Sequence, residues 1–182
     1  ENLGGAIYFE GADEISLQRC VFRRNGTRFF LGIPYERYWS DYMDYNHYAQ
    51  TYSQFYDAPP GAVYIGSDCG GVDLIDCDFG ENFTFGDGGA MSVLSTATFE
   101  RCTFGGNRSE VSGGAVFSDA RQLFAGSPIP QLTFADCTFR ENEANEGGAV
   151  YFHTTQGVFE DCHILANTAH NGGGLSLADT WM

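Results

Sequence analysis

The chain has 182 residues, enough for one well-buried domain. Its formal charge is −15, with 24 acidic residues set against nine arginines and no lysine, and such a surface repels nucleic acid and anionic lipid. No apolar run approaches the length that spans a bilayer, so direct membrane insertion is not expected.

The chain opens on "NLGGAIYF", where Ile7 and Phe9 alternate with polar or outward positions as in a short strand with one buried face. A second such strand closes at Leu17, and a third carries Cys20 and Phe22 and stops at Asn25. An insertion follows, at about residues 28–59. It holds Tyr35, Tyr38, Trp39, Tyr42, Tyr45, Tyr48 and Tyr52 at steps of mostly three and four, with no Gly or Pro between Glu36 and Ala58. That spacing predicts a helix or folded loop, with aromatics that pack on the neighbouring wall or serve as a contact surface for glycan or another subunit. The strand pattern resumes at Ala62, and Cys69 in "GSDCGG" falls outside the repeating positions, which makes it a candidate exposed or intermolecular thiol. Three further copies of the pattern follow, interrupted at residues 119–131 by a second insertion that reads as an extended surface loop. The chain ends at "GGGLSLADTWM", one strand into a sixth copy.

Aligning the copies exposes the repeat. Cys20, Cys77, Cys102, Cys137 and Cys162 are each followed at the fifth residue by an asparagine: Asn25, Asn82, Asn107, Asn142 and Asn167. Phe22, Phe79, Phe104, Phe139 and Ile164 occupy the second place after each cysteine, and a Gly-Ala step precedes an aliphatic residue or Met91 about a dozen places later. The unit is about 25 residues with a period of two inside it, so the chain is read as all-β. Stacked copies of three short strands describe a parallel β-helix, right-handed by precedent, with equivalent side chains about 4.8 Å apart. The cysteines become small apolar filling, and their in-register spacing seldom permits a relaxed disulfide, so they are expected as free thiols. The asparagines become corner residues that satisfy turn backbone and stack on one another. Arg19, Asp76, Arg101, Asp136 and Asp161, just before the cysteines, should form an exposed charge ladder. Asn25, Asn82 and Asn107 also head glycosylation sequons, "NGT", "NFT" and "NRS", although the repeat itself explains most of that signal.

The paired motifs "GGA[IVM]" and "CxFxxN" resemble the repeats of the polymorphic outer membrane proteins of chlamydiae and of related β-helix proteins. The resemblance implies a surface-exposed passenger, extracellular or cell-surface, that serves in adhesion or as scaffold. Pro60-Gly61 and Ile164 each break the pattern once, and the chain carries no membrane-barrel module.

Chemistry is sparse. The motifs typical of β-helical polysaccharide hydrolases are missing, there is no lysine base, and His47, His153, His163 and His170 lack metal-ligand spacing. No catalytic or metal site and no cofactor are therefore assigned. Calcium is the one ion the acid excess leaves open, without the loop pattern that normally binds it. The expected protein is non-enzymatic and extracellular: a single β-helix segment, residues 1–182, of a longer structural or adhesive protein, a scaffold piece of a surface layer or filament. It would associate with itself or with further coils at both ends. An adhesin that binds glycan or a host surface, and a polysaccharide lyase or hydrolase whose site lies outside this segment, are the alternatives.

Overall fold

The computed structural model describes residues 6–26, 29–30, 33–34, 61–123 and 127–179. Four parallel sheets run along it, and successive copies of the repeat supply successive strands of each. The first sheet stacks Ile7–Phe9, Val63–Ile65, Met91–Val93, Val116–Asp119, Val150–His153 and Leu175–Ala178. The second stacks Glu14–Gln18, Gly71–Ile75, Ala97–Glu100, Gln131–Ala135 and Gln156–Glu160. The third, from Val21–Arg23 to His163–Leu165, carries the Phe two places after each cysteine. A fourth, very short strand follows each asparagine from Phe83–Thr84 onward, and Gly26 bridges to Phe83 at its start. Sequence periodicity predicts three strands per coil. The fourth escapes it because two to four residues after a corner are too few to show alternation.

The strands are paired residue for residue: Met91 lies beside Val63 and Val116, Phe99 beside Leu74 and Phe134, Phe104 beside Phe79 and Phe139. With one face buried, a slip of one residue would turn every apolar side chain outward, so the register is strongly specified. Inside, the copies meet like with like. Phe22, Phe79, Phe104 and Phe139 stack with ring centroids 5.0, 5.0 and 4.7 Å apart. Phe99, Phe134 and Phe159 form a second column at 4.4 and 5.0 Å. Each stacked pair adds about 0.5–1.5 kcal/mol beyond the area it buries.

Two departures from the repeat are each compensated locally. Ser118 takes an inward position held by apolar residues in the other copies, and its hydroxyl meets the Thr155 hydroxyl at 3.1 Å, both residues fully buried. Gly157 replaces the aliphatic residue of the second sheet, and the Phe152 ring fills the vacancy: a Cβ on Gly157 would lie 2.7 Å from it.

The corners explain the conserved spacing of the glycines within the chain. The first glycine of each pair has positive φ (Gly88 74°, Gly113 67°, Gly147 61°), where a side chain is strained. The second is forced by close approach instead, since a Cβ on Gly114 would sit 2.1 Å from the Gly148 carbonyl oxygen. In the smaller insertion, Ala120–Gln122 forms a 3₁₀ turn capped by the Asp119 carboxylate, and Gln131 is the first residue of a strand. The loop expected over 119–131 is thus shorter at both ends. In the larger insertion, Phe29–Phe30 pairs antiparallel with Ile33–Pro34.

Candidate functional site

The asparagine corner is the most ordered polar feature. Each Asn lies just after a residue forced into the left-handed region: Arg24, Glu81, Gly106, Glu141 and Ala166 all have φ between 52° and 63°. That turn aims the amide into the coil. The Oδ1 of Asn107 accepts the backbone N–H of Asn82 at 3.0 Å and its Nδ2 at 2.9 Å. The Nδ2 of Asn107 donates to the Phe79 carbonyl at 2.9 Å and to Asn142 Oδ1 at 3.0 Å. The same pattern runs from Asn25 through Asn82 and Asn142 to Asn167, and Asn82, Asn107 and Asn142 are buried. Both amide hydrogens of Asn82 and Asn107 are committed and the side chains are enclosed, so these two sequons do not present an acceptor for a glycan. Asn25, at the first coil, is half-buried.

The cysteine column does more than fill space. All six cysteines are free thiols, as the spacing argument expected for the five in the column. Cys77 Sγ–H points at the Leu17 and Ile75 carbonyls at 3.3 and 3.4 Å, and Cys102 and Cys137 repeat the arrangement one and two coils on. Burial pushes the Cys77 thiol up to about 11, and the neighbouring Cys137 thiol together with burial raises Cys102 as well. Cys69 corrects the expectation of an exposed thiol: it is 7% exposed and belongs to the core, on the bend after the first-sheet strand. Its position off the repeat spacing concealed that it takes the place held by Ala12 one coil earlier, where the Gly70 N–H bonds the Ala12 carbonyl.

The outward charge ladder is partial. Arg101 reaches Glu100, and its bonds to Asp76 at 2.7 and 3.1 Å hold the Asp76 carboxyl below its usual range. Asp136 and Asp161 share the register as like charges, with the Asp136 N–H on the Glu160 carbonyl at 3.0 Å. The reason these positions recur is conformational as much as electrostatic: Arg19, Asp76, Arg101, Asp136 and Asp161 all have φ of 50–55°. Aspartate tolerates that region better than most residues. Other pairs cross between coils on the neighbouring face, Arg23 with Asp78 and Arg24 with Glu81.

Tyr35, Tyr38, Trp39, Tyr42, Tyr45, Tyr48 and Tyr52 lie outside the described residues. A column with aromatic members nevertheless stands on the outer face of the first sheet. Tyr8 stacks on Tyr64 at 4.8 Å, donates to Glu10 at 2.6 Å and is 38% exposed. Phe117 stacks on Tyr151 at 5.5 Å, both buried. Sequence reasoning passed over this column although its signal was present: the position between the two inward residues reads Tyr8, Tyr64, Ser92, Phe117, Tyr151, Ser176. Among the described residues there is no group of three His, Cys, Asp or Glu side chains that could hold a metal ion, and no helix is long and apolar enough to cross a membrane.

Parallel strands in four sheets, asparagine and phenylalanine columns and paired-glycine corners define a parallel β-helix assembled from one repeated unit. The unit has a known counterpart. Residues 101–119 and 136–153 match the family model of the Chlamydia polymorphic membrane protein repeat. Those proteins are associated with the outer membrane and cell surface, which is the general location the repeat indicates. No curated protein and no solved structure gave a significant match to the chain.

Proposed function

We propose that the chain is a non-enzymatic structural segment of an extracellular or cell-surface protein, a rigid rod that displays contact surfaces. One observation carries this reading. The polar side chains that the repeat places together are consumed by the stack itself: the asparagine amides bond the next coil, and the thiols point at strand carbonyls. Groups committed in this way supply rigidity rather than turnover. Recognition then falls to exposed aromatics such as Tyr8 and to the Tyr-rich insertion of the sequence, whose residue types suit glycan or a protein surface.

The test is a binding comparison. The protein should adhere to an immobilised glycan panel or to cell surfaces, and changing Tyr38, Trp39, Tyr42 and Tyr45 to Ala should abolish adhesion while the circular dichroism of the solenoid holds. Release of unsaturated or reducing ends from acidic polysaccharides by the purified chain would overturn the non-enzymatic reading.

A further inference from the structure

Asp87 is the exception to the economy just described. It immediately precedes the Gly88-Gly89 corner that carries the chain from the fourth sheet into the first, and it is only 8% exposed. Its Oδ1 is buried without a hydrogen-bond partner. In the same corner position the next coils place Ser112, Glu146 and Asn171, each of whose carbonyls accepts the N–H of the preceding coil's first glycine. Asp87 alone in this series combines a carboxyl with near-complete burial, because Glu146 is half-buried.

The surroundings favour the neutral acid. Burial disfavours the charged form most, and Asp119 and Glu146 act on it as like charges, which together outweigh the pull of Ser112 toward the anion. The cations of the packed elements are engaged elsewhere: Arg121 pairs with Asp119 at 2.6 Å, and Arg108 pairs with Glu110 at 2.8 Å. The corner also has no slack for hydration. A Cβ on Gly88 would lie 2.3 Å from the Met91 carbonyl oxygen, and the Gly88 and Gly89 N–H groups bond the Ser112 and Gly113 carbonyls at 2.9 Å. A charge there can be solvated only if those bonds give way.

We propose that Asp87 is a proton-operated latch: as the neutral acid it keeps this corner closed, and its ionisation loosens the Gly88–Ala90 turn from the coil that follows. Burial, ahead of the like charges, pushes its carboxyl up to about 7. In the opened chain the same group titrates at about 3.9. The stabilisation is therefore complete below about pH 3.9, falls as pH rises toward 7, and changes little above it.

Native-state hydrogen exchange tests this on the intact chain. After correction for intrinsic exchange, protection of the Gly88, Gly89 and Ala90 amides should fall about fiftyfold between pH 5 and pH 7 and only about twofold more by pH 8.5. The equivalent Gly147, Gly148 and Ala149 amides should stay level, and in Asp87→Asn all six should. Protection at Gly88–Ala90 that is flat in the wild type, or that falls equally at Gly147–Ala149, would overturn the latch, as would an Asp87→Asn chain with the wild-type slope. Should the variant not fold, the comparison of the two corners in the wild type decides alone.

Discussion

Replacing Asn107 by Ala tests whether the asparagine column holds the coils together. Asn107 is fully buried and makes four side-chain hydrogen bonds. The substitution strips the Asn82 backbone N–H and the Phe79 carbonyl of their Asn107 partner, and water cannot replace it without entering the coil. An unsatisfied buried group costs about 1–3 kcal/mol, so the two together predict a loss of about 2–6 kcal/mol. The Asn82 Nδ2 keeps its bond to the Phe22 carbonyl and adds less. Asn167 is the control. It makes the same bonds to Phe139 and Asn142, yet it is half-buried, so water substitutes and Asn167→Ala should cost about 1–2 kcal/mol. Urea unfolding followed by circular dichroism measures both. If Asn107→Ala loses less than about 1 kcal/mol, or no more than Asn167→Ala, the column is decoration and the reasoning fails.

Two further outcomes follow from the corners and the core. Gly114→Ala places a methyl against the Gly148 carbonyl and the Glu143 backbone, 2.1 and 2.7 Å away, and should cost about 3 kcal/mol or prevent folding. Gly71→Ala, with nothing within 4 Å of the added methyl, should leave the melting temperature unchanged or slightly raised. Thiol titration at pH 8 should label Cys77, Cys102 and Cys137 only as fast as the chain unfolds, since burial and, at Cys77, a thiol pushed up to about 11 withhold the reactive thiolate. Immediate reaction of all six cysteines in the native protein would contradict the buried column.

The architecture was legible because a solenoid writes the same physical demand several times. One "CxFxxN" is a weak signal; four in register, with a fifth copy that has Ile164 for Phe, point to a column, and the Phe, Cys and Asn columns all stand where the repeat placed them. What stayed hidden is what the repeat encodes without residue identity. The left-handed corner before each cysteine is filled by Arg in two copies and Asp in three, so its conformation reads from sequence as a charge pattern. The fourth strand is too short to alternate. Cys69 was misread for the opposite reason: a residue that matches no column looks exposed, although a bend can bury it in a place that Ala12 fills elsewhere.

The same logic separates scaffold from site along the chain. A position that faces its own kind on both sides is constrained by stacking, because any change must fit two neighbours at a spacing near 4.8 Å. Asn107 and Phe104 are of this sort, and their chemistry is spent. A position whose neighbours in register differ is free of that constraint. Such positions are the outward column of Tyr8, Tyr64, Ser92, Phe117, Tyr151 and Ser176, and the corner series of Asp87, Ser112, Glu146 and Asn171. The first series presents exposed aromatic surface at Tyr8, and the second contains a buried carboxyl oxygen without a partner. In a β-helix these irregular columns, not the conspicuous repeated ones, are where selection can act on contact and on pH without disturbing the stack.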